Sequence, residues 1–411
     1  MPRLSMTYGK WFLAQQNTIR VVSALFLSCS LGAFSPVYAG SLGWGKEAPG
    51  APFVAGKGIF VANRDSNDVV VIDPVRQEIV ATIRDIPSPH MAFPAPDGKT
   101  VYVTSSGSNQ VAVIDGLTYK KIGSVRVGET PEHMNFSPDG RLVFVANHGS
   151  HDVSVIEAAS RRLLATLPVG KEPENVTFSP DGSYAYVAGA GSYEVTVIDV
   201  GALKPVASIP ISGGAAAASL KPSGTAKGPE IVTVSPDGRI AFVANEDTND
   251  LSVIDLKSGR ATRKISVGSR PHHTTLSPDN RFVYLINDGD ATVSMIDADS
   301  ARTLSTLRLG GALTGIVFSK DSRSAYVVNR GKNRIDVIDT ASRTLKKSIP
   351  VGNRPEVAAL TPDGKFLYVA NSGGGSVSII DTAGEKVTKT LEGVGRYPWA
   401  IDMAGGSNFC H

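Results

Sequence analysis

Six of the seven histidines in this 411-residue chain lie in its interior: His90, His133, His148, His151, His272 and His273. Four glutamates accompany them. Glu132, Glu174, Glu230 and Glu356 each directly follow a proline, and Glu132 precedes His133. Imidazole nitrogen and carboxylate oxygen together can hold a divalent cation, and can also work as a general acid–base pair. No pair has a helical His-x-x-x-His spacing; His148-Gly-Ser-His151 reads as a loop. Other chemistries lack their motifs. There is no Cys-x-x-Cys-His for c-type haem, no Gly-x-Ser-x-Gly elbow and no Walker loop. The bland reading is that the glutamates accept hydrogen bonds from neighbouring loops and the histidines are solvated.

These residues sit in a repeat. The stretch Thr130 to Asp152 reads as strand, turn, strand, loop. Ser137-Pro138-Asp139-Gly140 is the turn: Pro presets φ, Asp accepts local backbone bonds and Gly takes a positive φ. Leu142, Val143, Phe144 and Val145 then suit a second strand. An apolar-Ile-Asp (or Glu) word ends at Asp73, Asp115, Glu157, Asp199, Asp255, Asp297, Asp339 and Asp381. Six of the seven intervals are 42 residues and the one from Asp199 to Asp255 is 56. Each period holds four short β segments and no helical periodicity.

Four antiparallel strands every 42 residues predict an all-β fold, a β-propeller of four-stranded blades. The second, third and fourth strand types each occur eight times. The first occurs seven times between Pro89 and Leu360, with an eighth copy at Tyr397–Met403. The N-terminal copy starts directly at the second type, Gly56 to Asn63. The expectation is therefore eight blades, closed by a C-terminal strand that completes the N-terminal blade. Seven blades with a spare hairpin is the alternative. A single propeller domain spans 57–403, after a lead-in at 40–56 and before a tail at 404–411. The 14 extra residues fall within 212–228, a flexible Ala/Gly/Ser-rich insertion. Ser319-Lys320-Asp321-Ser322 replaces the usual turn, which we read as drift in a tolerant turn.

The copies form an internal alignment. The position after the strand-opening proline reads His90, Glu132, Glu174, Glu230, His272, Thr314, Glu356 and Trp399. The next reads Met91, His133, Asn175, Ile231, His273, Gly315, Val357 and Ala400. The first strand of a blade is innermost, so both positions are expected as rings at one mouth of the channel. The loop carrying His148 and His151 opens on the same face. All six interior histidines are thus expected on one side, as a ligand-binding rim with a candidate metal site.

On Tyr368-Val-Ala-Asn371, Val253-Ile-Asp255, Val351-Gly-Asn-Arg-Pro355 and Thr361-Pro-Asp-Gly364, the chain resembles the YVTN-repeat β-propellers, over residues 57–403. Eight blades also make it similar to the haem d1-binding propellers of denitrifying bacteria, in blade pattern only. Pro131-Glu-His-Met134 with Phe144-Val-Ala-Asn147, and Pro271-His-His273, resemble propeller lactonases of the phosphogluconolactonase type. That likeness implies a central pocket in which His133, His273, Glu132 and Arg270 bind and activate a lactone. The tryptophan-docking repeats of quinoprotein dehydrogenases are missing.

Residues 1–39 carry Arg3, Lys10 and Arg20, no acid, an apolar run from Val21 to Phe34 and small residues before Gly40. They read as a cleavable signal peptide. The apolar run is shorter than the ~20 residues of a membrane span; an uncleaved anchor is the alternative. The whole chain has 41 basic and 38 acidic residues. Removing the leader balances them, so no nucleic-acid partner is expected. Cys410 remains as a single thiol, and the fold must rest on its core. The expected role is a periplasmic or secreted binding or scaffold protein. It would present the mouth to a protein partner, a small ligand or a metal cofactor; the alternatives are a lactonase-like or metal-dependent enzyme, or a protein that handles a metal or haem cofactor with its rim histidines.

Overall fold

The structure, a computed structural model, describes residues 58–211, 228–405 and 407–408. The residues expected to form a signal peptide and the lead-in, the expected insertion except Gly228, and Cys410-His411 lie outside the described residues. What is described is a ring of eight antiparallel sheets. Seven blades are built in sequence order. The eighth joins the N-terminal strands Ile59–Asn63, Asp68–Asp73 and Glu78–Ile83 to the C-terminal Pro398–Met403 on its inner edge. The ring is closed by this clasp, as expected from the strand count. No helix of the described residues is long and apolar enough to cross a membrane.

Packing between blades explains the repeated words. The aromatic of the second strand (Phe60, Tyr102, Phe144 and their equivalents) is buried in every blade. It packs on the inner strand of the next blade: Phe144 meets Phe178 edge-on at 5.1 Å and Tyr284 meets Phe318 at 4.8 Å. The Tyr102 hydroxyl donates to the Ala158 carbonyl one blade on, at 2.7 Å. Such edge-to-face pairs contribute ~1 kcal/mol beyond burial. The recurring Asp after Ile is a turn cap. Asp115 Oδ1 takes the Leu117 and Thr118 N–H groups at 3.0 and 2.7 Å, and Asp73 Oδ1 takes those of Val75 and Arg76.

The turn after the inner strand is equally local. Ser137 Oγ donates to Asp139 and receives the Leu142 N–H, while Gly140 adopts φ +71°. The divergent Ser319–Ser322 keeps this form, with Ser319 Oγ on Asp321 Oδ1 at 2.7 Å and Ser322 at φ +57°. One difference lies in the tail. The backbone of Ser407–Asn408 pairs with Ala359 and Leu360, adding a fifth strand to the inner edge of the last sequential blade.

Candidate functional site

The inner strands start on the face where the loops between second and third strands lie. The His148 N–H donates to the Thr130 carbonyl at 3.0 Å, and Arg64, Asp288 and Ser372 make the same bond to Tyr397, Arg270 and Arg354. Each inner strand is irregular just past its opening residue. Pro131 pairs with Asn147, but the next matched pair is Met134 with Val145, and every blade has a comparable register shift. Such a bulge re-aims the side chains it displaces. Glu132 and His133 are the displaced residues here, so the bulge is what turns them out of the regular ladder.

Glu132, His133 and Glu174 each offer one donor atom, and these atoms lie within 4.8 Å of one another. His133 Nδ1 is 4.0 Å from Glu174 Oε2, and His148 Nε2 is 3.5 Å from Glu174 Oε1. His133 is buried, whereas His148 is about one-third exposed at 33% of its side-chain surface. The cluster thus has a dry side in the channel wall and a wet side at the mouth. His90 backs it from the neighbouring blade, its ring edge-on to His133 at 5.1 Å. Trp399 packs on His90 at 5.5 Å. One nitrogen and two carboxylates at this spacing form a mixed N/O set suited to a transition-metal ion.

His151 is different. Its Nδ1 accepts the Glu172 N–H at 3.1 Å. The side-chain oxygens of Asn67, Asn109, Asn249 and Asn333 do the same for Ser88, Thr130, Arg270 and Arg354. His151 therefore occupies an asparagine position and ties one blade to the next.

The remaining rim residues lie apart from the cluster. His272 and His273 are on the inner strand Pro271–Leu276, three blades from His133. His272 Nε2 is 3.3 Å from the Leu313 carbonyl and His273 is buried. Arg270 Nε pairs with Glu246 Oε1 at 2.8 Å. Glu230 is half-buried on Pro229–Val234. Glu356 is wholly buried and accepts from Ser372 Oγ at 3.0 Å and Arg330 at 3.2 Å. That is the loop-anchoring use the repeat suggests for a glutamate there. The lactonase-type set is thus distributed over two regions, Glu132 and His133 in one and Arg270 and His273 in the other.

Sequence reasoning passed over a third ring, the residue after the second strand: Arg64, His148, Glu246, Asp288 and Arg330 among them. Only the histidine stood out by type. Reading the same position across all copies would have found the arginines and acids beside it.

No curated protein matches the chain in sequence. Among solved structures, hydrazine synthase of Kuenenia stuttgartiensis is similar with 25% identity and a TM-score of 0.58, over 74% of this chain and 98% of that one. The dihydro-heme d1 dehydrogenase NirN in complex with DHE is similar in fold, with 20% identity and a TM-score of 0.73 over 86% and 76%. A functionally unknown protein from Desulfotomaculum acetoxidans shares the fold at 14% identity and a TM-score of 0.55, over 86% and 99%. A family model described as a lactonase, 7-bladed beta-propeller, matches residues 254–395. The model of the YNCE-like beta-propellers matches residues 53–258. That match spans half of the 411 residues, and with it the chain belongs to the YNCE-like beta-propeller family.

Proposed function

We propose that this is an exported binding protein that holds a divalent transition-metal ion at the mouth of its channel. His133, Glu174 and Glu132 are its ligands, with His148 beside Glu174 on the solvent side. The observation that carries this is the convergence of three donor atoms from two adjacent blades within 4.8 Å. Three protein ligands at an open mouth leave coordination positions for a small ligand or a side chain of a periplasmic partner. His90 and Trp399 close the buried flank, so the ion would be approached from the mouth alone. Export is supported by the basic start, the apolar run at 21–34 and the small residues before Gly40.

The test is elemental analysis of the untagged protein after export and after incubation with zinc or copper. Near-stoichiometric metal in the wild type, lost in His133→Ala and Glu174→Gln, is the expected result. A wild type that stays metal-free under both conditions would falsify the reading. A second reading is favoured by the lactonase-type match over residues 254–395, which include Arg270, His272 and His273. Lactone turnover in the same preparations, abolished by His273→Ala and indifferent to metal, would select it.

A further inference from the structure

A second feature of the mouth lies between the last sequential blade and the clasp blade. It is an open cleft of about 680 Å3 walled by Arg354, Arg396 and Tyr397, with Ser372, Gly374 and Asp65 on its other sides. The internal alignment explains why a cleft opens here. Between second and third strands every other blade carries side chains at the loop's third and fourth positions, from Ser66-Asn67 to Lys332-Asn333. This blade has Gly374-Gly375, and Gly375 sits at φ +61° with the Gly395 carbonyl 2.5 Å from where a Cβ would stand. At Gly374 the side chain that the other blades carry is therefore missing, whereas at Gly375 the Gly395 carbonyl takes the place of a Cβ.

The walls are cationic. Arg354 Nη2 is 3.5 Å from the Tyr397 hydroxyl and 3.6 Å from Glu356 Oε1. Buried Glu356 is already engaged by Arg330 and Ser372, so one carboxylate serves two guanidinium groups. Arg396 is held at both ends, its backbone N–H on Ser66 Oγ at 3.0 Å and its guanidinium Nη2 on the Asp65 carbonyl at 2.8 Å, while the residue stays exposed and the other guanidinium donors face outward. Arg330 and Arg354 thus share one wholly buried carboxylate, while Arg396 donates to a backbone carbonyl. A guanidinium presents its donors as a planar fork that matches an oxyanion, and glycines allow close backbone approach.

We propose that this cleft binds the oxyanion group of a small ligand, a carboxylate or a phosphate monoester, between Arg354 and Arg396. It shares no residue with the metal cluster, so it stands separately from that reading. The two are the ends of one packed row. Arg354 lies over the Tyr397 ring at 5.7 Å, Tyr397 stacks on Trp399 at 5.7 Å, and Trp399 meets His90, which meets His133. A ligand held in the cleft is therefore placed on the same mouth as the histidines.

The experiment is calorimetric titration of the purified protein at low ionic strength, with inorganic phosphate and with phthalate as probes. Saturable binding of either supports the site; phosphate alone points to a phosphorylated ligand and phthalate alone to a carboxylate. Affinity should fall by ~10-fold in Arg396→Gln and in Arg354→Gln. It should also fall in Gly374→Leu, where a Cβ is accommodated, its nearest neighbour being Ser376 Oγ at 3.4 Å, and the side chain fills the cleft. His133→Ala should bind the probes as the wild type does, which separates this site from the metal site. No saturable binding of either probe, or undiminished binding in Arg396→Gln or Gly374→Leu, overturns the proposal.

Discussion

His133 and His151 are both rim histidines of one blade, yet their surroundings assign them opposite tasks. His133 is buried beside two carboxylates. His151 is exposed at φ +59°, with Nδ1 receiving the Glu172 N–H. The same Nδ1 lies 3.0 Å from the His148 carbonyl, so the ring bridges its own loop and the next blade. Asparagine does the same work in four other blades, so His151→Asn should leave stability within ~0.5 kcal/mol. His151→Ala should cost about 1 kcal/mol, the worth of one hydrogen bond plus the loss of a residue that tolerates αL. Neither variant should change metal content, whereas His133→Ala should abolish it. Chemical denaturation and elemental analysis on the three proteins decide this; metal loss in His151→Asn would move His151 back into the site. By residue type the two histidines look alike in the sequence. Their difference was encoded one and two repeats away, at Asn109 and Asn67, but reading it requires knowing that this position bridges blades.

At the level of elements, the turns carry the fold's acid sensitivity. Asp181, Asp237 and Asp321 each accept a hydroxyl from Ser179, Ser235 or Ser319, then a backbone N–H from two residues on. The serine hydroxyl is the largest favourable influence, and all three carboxyls are held below their ordinary range, Asp237 to about 2. A folded value below the unfolded one means stability that is present above about pH 4 and lost as pH falls toward 2. The melting temperature should therefore drop steeply between pH 4 and 2. In the triple variant Asp181→Asn, Asp237→Asn, Asp321→Asn that slope should be visibly shallower, with the curve starting lower at pH 7. An unchanged slope would place the acid sensitivity elsewhere. These turns were legible because their chemistry spans only a few residues. The inner-strand bulge was not. The residues Pro131 to Phe136 look like an uninterrupted strand, and only pairing against Leu142–Asn147 shows that Glu132 and His133 fall out of register. The rings at the mouth could thus be placed from the repeat, while the joining of Glu132, His133 and Glu174 could not.

For the whole molecule, everything depends on closure, and closure was legible by counting strand types. What the count could not show is the residue at the closing seam. Asp402 lies on the clasp strand where other inner strands carry Asn135, Thr177 or Thr233. Those side chains donate to carbonyls of the next inner strand, at Val176, Val232 and Thr274. Asp402 instead accepts, its Oδ2 3.4 Å from the Ala92 N–H across the seam. Burial pushes its carboxyl up to about 7, against the smaller opposing influence of the Ala92 N–H. An acid whose folded value is raised gives no penalty below about pH 4, where both states are protonated. Between about 4 and 7 the unfolded chain ionises first, so stability falls as pH rises and the full cost is reached above 7. Asp402→Asn keeps the shape and removes the ionisation. It should match the wild type near pH 4 and exceed it at pH 8 by on the order of 4 kcal/mol. Urea denaturation at pH 4, 6 and 8 measures the difference. A gap that grows with pH locates the ring's alkaline weakness at its seam; a gap independent of pH would mean that Asp402 is ionised in the folded ring and held there by its surroundings.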